Sequence, residues 1–163
     1  MESKVPLHIF VVENDNLFVR ILDYVFSKDI LYRFLDFKSG EDCLKNLHLN
    51  PELVILDYSL PGMNGYETLL ELKEQNPSVH VIMILSENDK RLPAEFLNAG
   101  AADYVIKDGI HEEKVIEKIE TFLARENVFR QVTRMGRKPS LRKKIYYAVL
   151  LALLLSAGVY YYQ

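Results

Sequence analysis

The sequence predicts an α/β domain, a doubly wound parallel sheet built from five βα units, followed by one C-terminal apolar helix. Three observations carry that prediction. Short β-rich runs alternate with runs of helical period five times within about 125 residues, which is the pattern of a parallel sheet covered by helices on both faces. Leu53-Val-Ile-Leu is apolar without interruption, as expected of a strand buried on both faces, and it ends in Asp57 just before Pro61, Gly62 and Gly65. Finally, residues 145–162 carry no charge at all.

The elements follow in order. His8-Ile-Phe-Val-Val12 is a short strand ending in Glu13-Asn14-Asp15-Asn16. Leu17, Ile21, Leu22, Val25 and Phe26 then recur at helical spacing. Tyr32 to Phe37 reads as a second, partly exposed strand. Ser39-Gly-Glu-Asp42 has capping-box spacing, with Asp in place of Glu, and opens a helix through Leu44 and Leu47. The strand ending at Asp57 comes next, then a helix near Tyr66 to Asn76 that stops at Pro77. His80 to Ser86 is a buried strand with a hydroxyl at its end. Leu92 to Ala99 forms a short helix closed by Gly100. Ala102 to Lys107 is the fifth strand, and Val115, Ile116, Ile119, Phe122 and Leu123 mark an amphipathic last helix. Among doubly wound sheets the flavodoxin-like strand order 2-1-3-4-5 is the expected one.

Composition narrows the function classes. Residues 125–144 hold eight of the 20 Lys and Arg residues and one of the 23 acids, leaving the first 124 residues with 12 bases, 22 acids and a net charge of −10. An acidic body is a poor surface for nucleic acid. The one cysteine, Cys43, excludes an internal disulfide and suits a small core position. The start of the chain has no signal-peptide pattern. His8, His48, His80 and His111 show no paired metal spacing, and no hydrolase elbow, Walker loop or dinucleotide fingerprint is present.

Strand ends carry the chemistry. In an open parallel sheet the binding crevice lies beyond the carboxyl ends of the strands, where Glu13, Asp57, Ser86 and Lys107 all fall. Asp57 alone has two readings: a reactive or ligand-holding carboxylate, or a solvated aspartate ending a strand or capping the next helix. Taken with its neighbours the first gains. Two nearby carboxylates repel one another, and Mg²⁺ relieves that with oxygen ligands. A lysine and a hydroxyl add donors suited to phosphate oxygens. Such a set is built to accept a phosphoryl group on a carboxylate.

The chain resembles the receiver domain of two-component response regulators, of the chemotaxis-regulator type, over roughly residues 5–125. The resemblance rests on Val-Val-Glu13-Asn14, on Leu-Asp57-Tyr-Ser-Leu-Pro-Gly-Met-Asn-Gly, on Ile-Leu-Ser86, and on Gly100-Ala-Ala-Asp-Tyr104-Val-Ile-Lys107. It implies that Asp57 is the phosphoacceptor, that Ser86 and Lys107 contact the phosphoryl group, and that Ser86 and Tyr104 form the switch. It implies Mg²⁺ held by Glu13, Asn14, Asp57 and the Ser59 backbone carbonyl. It also implies a histidine kinase or phosphotransfer protein as donor, and an output face on the fourth helix, fifth strand and fifth helix. The chain is thus expected to be a signalling phosphoacceptor and not an enzyme, although self-phosphorylation and autodephosphorylation belong to the same chemistry. Three positions depart from the family pattern. Asn14 replaces a second acid, which weakens metal binding unless Asp15 compensates. Asp108 follows the lysine in place of proline, which holds the lysine less firmly. Glu87 follows the hydroxyl residue, where a small residue is usual, and narrows access. These departures support an alternative, a phosphorylation-independent pseudo-receiver acting as an adaptor.

Beyond the receiver (residues 1–126) the sequence divides into a basic linker (127–144) and an apolar segment (145–162). At 1.5 Å per residue that segment spans about 27 Å as a helix, close to a hydrocarbon core. Tyr146 and Tyr147 at one end and Tyr160, Tyr161 and Tyr162 at the other match interfacial belts, and the basic block before it places the receiver on the cytoplasmic side. The expectation is a single-pass anchor in the inner (cytoplasmic) membrane, with anionic lipid rather than nucleic acid facing the basic block. Ala148, Ala152 and Ser156 lie four apart on one face, a pattern suited to a homodimer. With no output domain in view, signalling is expected through contact with another protein.

Overall fold

The computed structural model describes residues 6–26, 32–86, 89, 93–107 and 112–134. Its strands are β1 (Leu7–Val12), β2 (Tyr32–Phe37), β3 (Leu53–Asp57), β4 (His80–Ser86) and β5 (Asp103–Lys107). They form one parallel sheet in the order β2-β1-β3-β4-β5, the expected topology. The helices are α1 (Asn16–Phe26), α2 (Gly40–Lys45), α3 (Gly65–Gln75), α4 (Pro93–Asn98) and α5 (Glu112–Arg134).

Every residue of β3 is buried, as its unbroken apolar run requires of a strand with neighbours on both edges and cover on both faces. One face of the sheet gives Phe10, Val12, Val54, Leu56, Val81, Met83 and Leu85 to a core shared with Cys43, Leu69, Leu72 and Phe96. Alternation sends Ile9, Val11, Ile55, Ile82 and Ile84 the other way, and they too are buried. On α1, Phe18, Val19, Leu22 and Phe26 are buried at helical spacing. The edge strand β2 is only half-buried, as its mixed sequence indicates.

Two helix boundaries differ from expectation for local reasons. The second helix does not run through Leu47. Asn46 closes it, its N–H donating to the carbonyl of Cys43 at 3.0 Å, and Leu47–Leu49 forms a separate 3₁₀ turn ended by Asn50 at φ 51°. The third helix begins at Gly65 because Asn64 caps it: the Asn64 side chain accepts from the N–H groups of Tyr66 and Glu67, and Glu67 accepts from the Asn64 N–H at 3.0 Å. That complete capping box is worth about 1 kcal/mol. At Ser39 the cap is the expected one, accepting from the Asp42 N–H at 3.3 Å, while the Asp42 carboxylate pairs with Lys45 at 2.8 Å.

The chain divides into two compact units, Met1–Ile116 and Glu117–Gln163, with α5 passing from one into the other. Among the described residues no helix is long and apolar enough to cross a membrane. The apolar segment 145–162 and most of the basic linker, 135–144, lie outside the described residues, as does Glu87.

Candidate functional site

The parallel register brings the ends of β1, β3, β4 and β5 to one edge. Asp57 is the last residue of β3, Glu13 follows β1, and Ser86 and Lys107 close β4 and β5 opposite one another. Glu13 is anchored by its own backbone, whose N–H donates to the carbonyl of Phe37 on β2 at 3.0 Å. Lys38 reaches the Glu13 carbonyl at 3.4 Å.

Three of the four strand-end groups meet. Lys107 Nζ donates to Asp57 Oδ2 at 2.8 Å and to Glu13 Oε2, and it lies 4.8 Å from the centroid of the Phe18 ring. Both carboxylates are buried, Glu13 at 2% exposure and Asp57 at 7%. This removes the reading of Asp57 as a solvated strand-end aspartate. The remaining oxygens are also engaged: the Ser59 N–H donates to Asp57 Oδ1 and the Asp15 N–H to Glu13 Oε1, each at 2.9 Å. Lys107, which lacks a following proline, is nonetheless held by two carboxylates and an aromatic face.

The electrostatics follow from that geometry. Burial raises the pKa of Glu13, the hydrogen bond and charge of Asp57 raise it further, and Lys107 with the Asp15 N–H pulls it back, leaving it at about 7. Burial works against the charge on Lys107, but Asp57 and Glu13 outweigh it and its pKa stands above the ordinary lysine value. One ammonium thus serves two carboxylates.

The other residues expected at the site are placed differently. Asn14 is exposed. Asp15 is also exposed, and its Oδ1 accepts from the N–H groups of Leu17 at 2.8 Å and Phe18 at 3.4 Å. It caps α1, so that oxygen faces a helix terminus and not the acid pair. Ser86 is at the edge, but its N–H and hydroxyl both donate to Asp89 Oδ2, the former at 3.1 Å. Tyr104 is half-buried and packs against the core face of the sheet. Among the described residues no group of three or more His, Cys, Asp or Glu converges as a metal cage.

The loop glycines that follow Asp57, visible in the sequence, are joined by supporting groups that sequence reasoning missed: Glu41, Asn64, Phe18 and Asp89. Gly65 sits so close to the end of β3 that a Cβ there would lie 2.3 Å from the Asp57 carbonyl oxygen. The Gly65 N–H donates to the Tyr58 carbonyl at 2.9 Å, folding the loop back beneath Asp57. Gly62, at φ +75°, lets the Met63 N–H reach Glu41 Oε1 at 2.9 Å, which ties this loop to α2. Those backbone hydrogen bonds, the helix end's own first, hold the Glu41 carboxyl below its ordinary range. The Asn64–Glu67 spacing was a readable signal. The Phe18 and Asp89 contacts left none, since their partners are set by the fold.

Residues 9–120 match the family model described as "Response regulator receiver domain". The chain belongs to that family. Among curated relatives, the receiver is 30% identical over 96 residues to "Response regulator GacA" of Pseudomonas aeruginosa, covering 58% of this chain and 45% of that protein. It is 32% identical over 109 residues to "Transcriptional regulatory protein CssR" of Bacillus subtilis, covering 66% and 48%. The chain therefore spans less than half the length of these relatives. Among solved structures, "BeF3 Activated DrrB Receiver Domain" superposes with a TM-score of 0.63 at 28% identity, over 74% of this chain and 99% of that one. The receiver of this chain is thus of the two-component response-regulator kind, a family of signalling phosphoacceptors that interact with histidine kinases or phosphotransfer proteins.

Proposed function

We propose that the chain is a membrane-anchored response regulator that accepts a phosphoryl group on Asp57 from a histidine kinase or phosphotransfer protein. The observation that carries this reading is the grip of Lys107 on two buried carboxylates, Asp57 and Glu13, at the carboxyl edge of the sheet. A carboxylate oxygen of Asp57 attacks phosphorus and the P–N bond to the donor imidazole breaks. The imidazole leaves with that electron pair and the acyl phosphate remains on Asp57. Lys107, already hydrogen-bonded to Asp57, neutralises charge on the transferred group, and the Ser86 hydroxyl is the second donor at that edge. Ser86 and Tyr104 act as the switch, in keeping with the family resemblance.

The donor set fits Mg²⁺. Two buried, adjacent carboxylates are hard oxygen ligands; burial first, and then the hydrogen bond and charge of Asp57, raise the Glu13 pKa, and a bound cation would favour the charged form against both. Glu13, Asp57 and the Ser59 carbonyl would hold it, with Asn14 as a neutral fourth ligand. When bound it supplies positive charge against the phosphoryl oxygens. The solved structure titled "Crystal structure of the Mn(2+)-bound form of response regulator Rcp1", 20% identical, shares the fold.

Incubating the full chain with Mg²⁺ and acetyl phosphate or beryllofluoride, beside Asp57→Asn, tests the assignment. A phosphoryl mass adduct or a Mg²⁺-dependent complex that the variant lacks is expected. No adduct from either donor, nor from a phosphorylated kinase, leaves the pseudo-receiver adaptor as the better account. The exposed position of Asn14 and the capping role of Asp15 favour that second reading, since neither adds charge to the acid pair.

The charge-free segment 145–162 follows a block with Arg137, Lys138, Arg142, Lys143 and Lys144, an order that leaves the receiver in the cytoplasm and the anchor in the inner membrane. Tethering raises the effective concentration of the receiver near membrane-bound donors, and output passes through contact with another protein, not nucleic acid. Packing along Ala148, Ala152 and Ser156 gives a homodimer. Retention of the chain in carbonate-washed membranes, and its release when residues 145–162 are removed, checks the anchor.

A further inference from the structure

Ser86 closes β4 directly opposite Lys107, at the edge where Asp57 is held. Its hydroxyl and its backbone N–H converge on one oxygen, Oδ2 of Asp89, three residues on. A backbone turn needs only the N–H bond, at 3.1 Å. The hydroxyl bond bears on the chemistry, because a serine hydroxyl has one proton to donate and a carboxylate has none to give back. While Asp89 accepts that proton, Ser86 has no donor for a phosphoryl oxygen.

We infer that Asp89 is a positioning residue that withholds the Ser86 hydroxyl in the resting state, so that the phosphoryl group on Asp57 must displace a carboxylate before Ser86 turns to it. The inference rests on the reading of Asp57 as phosphoacceptor. Two acceptors compete for one proton, and the two arrangements exclude one another. Asp89 thereby raises the threshold for activation without touching the phosphoryl group.

The test is a double-mutant cycle on the full chain in mild detergent, reading Mg²⁺-dependent beryllofluoride affinity by ¹⁹F resonance. Asp89→Ala is expected to bind on the order of tenfold more tightly than wild type, the scale of one hydrogen bond to a charged group. Ser86→Ala is expected to bind more weakly than wild type, and adding Asp89→Ala to it should recover nothing. Asp89→Asn, which keeps an acceptor and loses the charge, should fall between wild type and Asp89→Ala. Equal affinity in wild type and Asp89→Ala overturns the inference while leaving the phosphoacceptor intact. A gain that persists in the Ser86→Ala background overturns it also, because loss of charge alone then explains the effect. If neither wild type nor Asp89→Ala binds beryllofluoride, the reading of Asp57 fails first and the inference falls with it.

Discussion

Replacing Glu13 by Gln tests the electrostatics of the acid pair through stability. Glu13 ionises at about 7 in the fold against 4.5 in the unfolded chain. Between those values the folded state binds the extra proton, so stability must fall as pH rises through the window. The stability is fully present below 4.5, and the loss is complete above 7. The rise corresponds to about 3 kcal/mol in total, of which about 2.5 kcal/mol is lost between pH 5 and pH 8. Gln is neutral throughout and lacks this dependence. It costs some stability at every pH, because Lys107 and the Asp15 N–H donate to different oxygens of Glu13 and the carboxamide sets an NH₂ donor against one of them. That cost is constant, so the decisive quantity is the change of the gap and not its size. Urea unfolding of both proteins in EDTA at pH 5, 6, 7 and 8 should show Glu13→Gln gaining on wild type by about 2.5 kcal/mol across the series. A gap that stays flat, or that moves in favour of wild type as pH rises, would refute the claim that burial and the neighbouring Asp57 raise the Glu13 carboxyl to about 7.

Three further outcomes are expected. Gly65→Ala drives a Cβ into the Asp57 carbonyl, which is backbone and cannot turn away, so it should cost about 1–3 kcal/mol in thermal unfolding and displace Asp57. Cys43 is buried and its thiol is pushed up to about 12 by that burial, so a disulfide reagent at pH 8 should modify it only at the rate of unfolding. Asn14→Asp places a new charge at an exposed position beside the acid pair. An added carboxylate there should tighten Mg²⁺ on the order of tenfold by calorimetry, and no change would mean that position 14 faces away from the metal.

Patterns that depend on near neighbours were legible in the sequence. The five strands and the strand-end carboxylates followed from apolar runs and turn residues, because a parallel sheet buried on both faces leaves its central strands little choice of composition, whereas the strand order was a choice among doubly wound variants. Asp15 shows how a local signal is misread. It stands directly before an apolar helical repeat, the position of a cap, yet it invites reading as a spare acid because it lies beside Glu13 and Asn14. The grip of Phe18 on Lys107 and of Glu41 on Met63 joins residues far apart in the chain, and no period or spacing announces them. The end of the second helix at Lys45 turned on Asn46 and Asn50, whose turn-forming chemistry overrode the apolar spacing of Leu44 and Leu47.

The donors around Asp57 are already committed in the resting site. Lys107 divides its ammonium between Asp57 and Glu13, the Ser59 N–H takes Asp57 Oδ1, the Asp15 N–H takes Glu13 Oε1, and Ser86 is given to Asp89. Two acids and one lysine leave a formal charge of −1, where the family pattern of a second acid at position 14 would leave −2. The smaller charge weakens the pull on a divalent cation and lessens the repulsion felt by an incoming phosphoryl group. These effects oppose one another, so the absence of an acid at position 14 does not by itself make the site inert. Because Ser86 already donates to Asp89, phosphorylation of Asp57 as proposed would be an exchange of hydrogen bonds more than a gain of them.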